Sequence, residues 1–132
     1  MAEKMLIIDD EEIVLKSCRK IFEAEGFEVL TVSSADQGLE AIKHDDFDLL
    51  LMDVKMPKHD GLYLIREFNK DWPDIPIIVM SGYPTQETVT DVFQLGAIEF
   101  IPKPFRPDEL VKSVRQVLEH AVKRRPFPTG AG

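Results

Sequence analysis

Five short apolar runs punctuate the chain: Met5–Ile8, Phe27–Val32, Phe47–Met52, Ile75–Met80 and Ala97–Ile101. The first, third and fourth are almost continuously hydrophobic, which is the pattern of parallel strands covered on both faces. Between the runs, apolar residues recur at helical spacing. Val14, Cys18, Ile21 and Phe22 share one face of a first helix, and Leu39 and Ile42 mark a second. Leu62, Ile65 and Phe68 mark a third, and Val89, Val92 and Phe93 a fourth. The second helix is expected to begin at Ser34, with Gln37 three residues on completing a capping box. The fourth is expected to stop at Gly96. The clearest stripe is the last, formed by Leu110, Val114, Val117, Leu118 and Ala121, with Pro107 in its first turn.

Strand–helix alternation of this kind predicts right-handed crossovers and an α/β fold with a parallel sheet. Five units fit a flavodoxin-like (βα)5 doubly wound sheet of strand order 2-1-3-4-5, although periodicity by itself does not select that order. One domain is expected over residues 1–121. The composition shifts after it: Lys123-Arg124-Arg125 leads into Pro126-Phe127-Pro128-Thr129-Gly130-Ala131-Gly132. Residues 122–132 therefore read as a flexible tail or the start of a linker. The basic triplet reads as a solvated helix end beside a negative dipole.

Charge narrows the function. With 16 Lys+Arg against 24 Asp+Glu in 132 residues, the formal net charge is −8. Such a chain lacks the basic footprint of a nucleic-acid-binding domain. Cys18 is the sole cysteine, so an internal disulfide and a cysteine-based metal site are both out of reach, and its place on an apolar stripe predicts packing. The N-terminal residues carry no signal-peptide pattern and no apolar run is long enough to span a bilayer, so no membrane association and a cytoplasmic location are expected. His44, His59 and His120 have no ligand-like spacing and read as surface residues, His59 being near enough to the functional rim to affect docking.

In a parallel α/β sheet the functional crevice lies at the carboxyl ends of the strands. There the first strand is expected to end in Asp9-Asp10, followed by Glu11, the third in Asp53 and the fourth in Ser81-Gly82, and the fifth to be followed by Lys103-Pro104. Each acid alone could merely cap a helix, and Glu11 reads mainly as a favourable partner for a helix dipole, with a minor role in the metal shell as the alternative. Together, clustered carboxylates repel unless a cation offsets them. A hard divalent ion with oxygen ligands is the natural solution, and Mg²⁺ (or Mn²⁺) keeps open positions for water and phosphate oxygens. A carboxylate beside it can act as a nucleophile toward phosphorus. Lys103 and Ser81 then supply a cation and a hydroxyl for the phosphoryl oxygens.

Four segments, in order and at matching spacing, resemble the receiver domain of two-component response regulators. They are Leu6-Ile7-Ile8-Asp9-Asp10-Glu11, Leu50-Leu51-Met52-Asp53-Val54-Lys55-Met56-Pro57 with Asp60-Gly61, Ile77-Ile78-Val79-Met80-Ser81-Gly82, and Gly96-Ala97-Ile98-Glu99-Phe100-Ile101-Pro102-Lys103-Pro104-Phe105. The resemblance, covering about Lys4 to Ala121, implies that Asp53 is the phosphoacceptor and that Asp10 binds the metal directly. Asp9 would bind it through water, and the Lys55 backbone carbonyl would be a further ligand. It also implies phosphate binding by Ser81 and Lys103, a Lys103-Pro104 bond that is often cis, and an aromatic switch at Phe100 that follows Ser81. Lys55 and Tyr83 stand where relatives tune phosphoryl lifetime.

The implied donor is a phosphohistidine on a sensor histidine kinase or histidine phosphotransfer protein. The implied output face is the fourth helix, fifth strand and fifth helix, which also allows a homodimer. The domain would act as a phosphoacceptor signalling module and not as an enzyme on external substrates. Three other readings compete with this one. A metal-dependent phosphatase would need a second acid two residues after Asp53, where Lys55 stands. A flavin-binding protein would need a phosphate loop where Asp9-Asp10 stand. A non-phosphorylated pseudo-receiver would not need the complete set of acids, Ser81 and Lys103.

Overall fold

The apolar runs become five parallel strands, and the helical stripes become the helices that cross between them. The computed structural model describes residues 2–55, 61–82 and 85–124, the side chains of 121–124 excepted. In chain order the elements are β1 (Lys4–Ile8), α1 (Glu12–Ala24), β2 (Glu28–Val32), α2 (Ala35–His44) and β3 (Leu49–Asp53), followed by α3 (Gly61–Asp71), β4 (Ile77–Ser81), α4 (Gln86–Leu95), β5 (Glu99–Pro102) and α5 (Pro107–Arg124). The sheet order is β2-β1-β3-β4-β5, as expected, with every pair parallel. α5 runs on to Arg124, so it takes in the first part of the basic triplet. Residues 125–132 of the expected tail lie outside the described residues.

Burial follows the sequence pattern closely. β3 and β4 are buried at every position, and β1 at all but Lys4, whereas the edge strands β2 and β5 are partly exposed. Strand side chains alternate between two layers. Met5, Ile7, Leu49, Leu51, Ile78 and Met80 pack with Cys18 and Phe22 of α1 and Leu110 and Val114 of α5. Leu6, Ile8, Leu50, Met52, Ile77 and Val79 pack on the other face with Ile42, Leu64, Phe68 and Val92 of α2, α3 and α4. Each fully buried side chain of this size contributes about 1.5–3 kcal/mol, so the central three strands form a stiff base for whatever stands at their ends. Cys18 is fully buried, and desolvation pushes its thiol up to about 12, which leaves it a packing group.

Two local expectations shift. The Ser34 hydroxyl caps α2 by accepting the Gln37 N–H at 3.2 Å. The Gln37 side chain, however, accepts the N–H of Ser33 at 2.8 Å, so the box closes one residue further out than its usual form. Phe93 does not join the buried stripe of α4 and is 42% exposed, whereas Val92 is fully buried. Adjacent helical residues point about 100° apart, and α4 lies at the β5 edge of the sheet, where a single apolar row suffices. Gly96 ends α4 with φ of 126°, its N–H and that of Ala97 donating to the Phe93 and Val92 carbonyls.

Gly61, at the start of α3, is fixed by close approach. A Cβ there would stand 2.4 Å from Val54 Cα and 2.5 Å from the Val54 carbonyl oxygen. This contact presses α3 onto the chain as it leaves β3, one residue past Asp53. By helix propensity alone, Gly61→Ala would stabilise by about 1 kcal/mol. Because the obstacle is backbone, the expected result is a loss of about 2–3 kcal/mol. Urea unfolding would show it as a lowered midpoint at unchanged slope.

Candidate functional site

The register of the central strands brings the expected residues to one rim. Asp9 follows β1, Asp53 ends β3 and Ser81 ends β4. β4 pairs Ser81 with Pro102, and the Lys103 N–H donates to the Ser81 carbonyl at 2.8 Å. Both Asp53 and Ser81 are in the ladder itself, one position beyond the apolar runs that announced their strands. Asp9 and Ser81 are fully buried, Asp53 nearly so, and Asp10 is exposed at the mouth. Tyr83, His59 and the Met56, Pro57 and Asp60 positions lie outside the described residues. His44 and His120 are exposed, the first beside Glu40 at 2.7 Å and the second against the Gln116 carbonyl of its own helix.

One ammonium organises the crevice. Lys103 Nζ donates to Asp53 Oδ2 at 2.7 Å and to Asp9 Oδ2 at 2.8 Å. The other oxygen of each acid is tied to its own chain: Asp53 Oδ1 accepts the Lys55 N–H at 2.8 Å, and Asp9 Oδ1 accepts the Glu11 N–H at 2.9 Å. Both acids thus use the short-range backbone bonding that Asp makes two residues on. Burial alone would lower the Lys103 pKa, but its bonds to Asp53 and Asp9 carry it above the usual lysine value. Desolvation pushes the Asp9 carboxyl up, against the pull of Lys103 and the Glu11 N–H. The Lys103-Pro104 peptide is cis.

One carboxylate oxygen from each of Asp9, Asp10 and Asp53 lies within 4.8 Å of the others. These donors are hard oxygens, with no imidazole or thiolate among them. The set therefore fits a hard divalent cation such as Mg²⁺ or Mn²⁺ and suits softer metals poorly. A Glu11–Lys103 contact of 3.4 Å across the crevice was not legible in the sequence. The two residues are 92 positions apart, and only the reach of the Lys103 side chain back across the β4 and β3 ends, which separate β5 from β1, brings them together.

The family model described as the response regulator receiver domain matches residues 5–115. The chain belongs to the response regulator receiver domain family. The receiver is 30% identical over 119 residues to the response regulator SaeR of Staphylococcus aureus strain USA300, covering 90% of this chain and 52% of that protein. It thus spans about half the length of the curated relatives it matches. A CheY-like receiver domain protein from Methanospirillum hungatei JF-1 superposes with a TM-score of 0.91 at 31% identity, covering 95% of this chain and all of that one. NtrX from Brucella abortus gives 0.88 at 34% identity, over 94% of this chain and 28% of that one. No helix among the described residues of the receiver is long and apolar enough to cross a membrane.

Proposed function

We propose that this receiver takes a phosphoryl group onto Asp53 from a phosphohistidine of a sensor histidine kinase or histidine phosphotransfer protein, and that this switches the α4-β5-α5 face. The observation that carries the reading is the arrangement around Asp53. It is a nearly buried carboxylate with one oxygen fixed by the Lys55 N–H and the other against Lys103, inside a three-acid cluster. An oxygen of Asp53 forms the bond to phosphorus as the phosphorus–nitrogen bond to the partner imidazole breaks, the electron pair remaining on nitrogen. Asp10, Asp9, Asp53 and the Lys55 carbonyl would hold Mg²⁺ or Mn²⁺. When bound, that ion offsets the charge that develops on the phosphoryl oxygens. Lys103 supplies a second positive charge and Ser81 a hydroxyl. No acid stands two residues after Asp53, so the phosphatase reading has no general acid there. The net acidity of the chain supports no direct nucleic-acid binding.

The output half of the reading rests on shared faces. Phe100 pairs with Val79 and Pro102 with Ser81, so Ser81 and Phe100 belong to the same face of the sheet. Phe100 is only partly buried, against the layer of α3 and α4. Drawing the Ser81 hydroxyl toward a phosphoryl oxygen would open space for the Phe100 ring. A switch from 1:99 to 99:1 needs roughly 5.5 kcal/mol, which one desolvated ion pair with charge-assisted hydrogen bonds can supply. Phe93 on α4 and Ile98 just before β5 are exposed large apolar side chains, suited to an output partner or a second copy. Lys55, exposed beside the acceptor, would tune phosphoryl lifetime, and the family resemblance extends that role to Tyr83.

Incubation with acetyl phosphate and Mg²⁺ is expected to add one phosphoryl mass to the intact protein. Excess EDTA should prevent the addition, and hydroxylamine should remove it, as befits an acyl phosphate. Labelling that survives EDTA or resists hydroxylamine would contradict the proposal.

A further inference from the structure

Glu11 is an acid of the crevice that the chemistry above leaves without a task. It occupies the N-cap of α1, yet its side chain makes no cap hydrogen bond. Its carboxylate turns instead across the crevice, placing Oε1 3.4 Å from Lys103 Nζ. The other two acids that hold Lys103 are Asp9 and Asp53, both buried and both members of the cluster that suits a divalent cation. Glu11 differs on both counts: it is outside that cluster, and its side chain is 58% exposed.

We propose that Glu11 is a positioning residue that receives the Lys103 ammonium when a divalent cation occupies the crevice. The inference rests on the metal reading of Asp9, Asp10 and Asp53. Lys103 Nζ sits 2.7–2.8 Å from one oxygen of each buried acid. A divalent ion shared by the same acids repels it at short range. The lysine stem is flexible and its charge compact, so the ammonium can swing. A cavity of about 600 Å³ lined by Glu11, Gly82, Lys103 and Phe105 leaves room on that side. The 3.4 Å separation is longer than a charge-assisted hydrogen bond. The pair therefore contributes little before the exchange and can tighten after it. The Glu11 backbone is itself anchored, its N–H donating to Asp9 Oδ1 at 2.9 Å, so the receiving carboxylate is held beside the acid that Lys103 leaves.

Mn²⁺ titration of the full chain, followed by the electron paramagnetic resonance of the free ion, tests this in four proteins: the native chain, Glu11→Gln, Lys103→Met and the double variant. Circular dichroism would confirm that each is folded. Lys103→Met should tighten Mn²⁺ binding by removing the competing cation. With Lys103 present, Glu11→Gln should weaken binding about threefold. In the Lys103→Met background the same change should alter it by less than about twofold, revealing the coupling. An equal loss in both backgrounds would make Glu11 a distant charge acting on the ion and overturn the proposal, as would no loss in either. A native chain that does not bind Mn²⁺ at all would instead remove the metal reading, and this inference with it.

Discussion

Asp53→Asn is expected to abolish phosphorylation outright while leaving a folded protein. The amide is nearly isosteric with the carboxylate, and its oxygen can still accept the Lys55 N–H that Asp53 Oδ1 accepts at 2.8 Å. Lys103 loses one of its two buried partners but keeps Asp9 at 2.8 Å. Fold and packing are thus retained, and the stability change should stay near 1 kcal/mol. What disappears is the nucleophile, because an amide oxygen has no negative charge to offer phosphorus. Intact-mass spectra after acetyl phosphate and Mg²⁺ should show a single unmodified species. A phosphorylated species of the variant would move the acceptor elsewhere, with Asp9 and Asp10 the next candidates.

Lys103→Met should produce the largest loss of stability. It leaves Asp9, fully buried, and Asp53, 4% exposed, facing each other without a cation. Removing one partner from a buried ionic group costs about 3–5 kcal/mol. Urea unfolding in EDTA at neutral pH is the measurement. The loss should also depend on pH. Asp9 is already raised by desolvation, and losing the Lys103 hydrogen bond carries it higher. A carboxyl raised in the folded state favours folding below its unfolded value of about 3.9. That contribution is lost as pH climbs through the folded value. The deficit of the variant should therefore be small in acid and grow toward neutrality. Millimolar Mg²⁺ should restore more stability to the variant than to the native chain, since binding to the folded state alone stabilises by mass action. A deficit that is flat with pH and indifferent to Mg²⁺ would mean that Lys103 acts by packing alone.

Much of this was legible in the sequence because the signals are local. The continuous apolar stretches Leu6–Ile8, Leu50–Met52 and Ile77–Met80 announce central strands, and the polar residues just beyond them mark the rim. Strand ends were less legible. Asp53 and Ser81 end their strands as expected, pairing with Met80 and Pro102 although the apolar runs stop short of both, whereas β1 stops at Ile8, before the Asp9-Asp10 expected at its end. A hydrophobicity pattern stops at the first polar side chain, whereas backbone hydrogen bonding does not. Phe93 was misplaced for a related reason. Helical spacing says which residues share a face, not how wide a stripe the sheet beneath needs. Glu11 reads as a helix-dipole partner because acids directly before a helix favour its dipole. The Lys103 it faces is a tertiary neighbour that no local pattern encodes. The residue-by-residue roles of Asp10, Ser81, Phe100 and Tyr83 came from likeness to the family, since spacing alone says only that such residues can meet.

Asp9 and Asp53 are wired alike, Oδ1 of each tied to the N–H two residues on and Oδ2 of each turned to the same ammonium. On the metal reading proposed above, the crevice is an ion exchanger in miniature. Its fixed charges are set by the backbone, and its counter-ion is on a leash. A competing ion can displace that counter-ion without either aspartate having to turn, and the displaced charge cannot diffuse away. Its local concentration is governed by the length of the leash and not by the surrounding solution. Return to the resting state is then a unimolecular event that waits only for the competitor to depart, so the forward change depends on what the solution supplies and the reset does not.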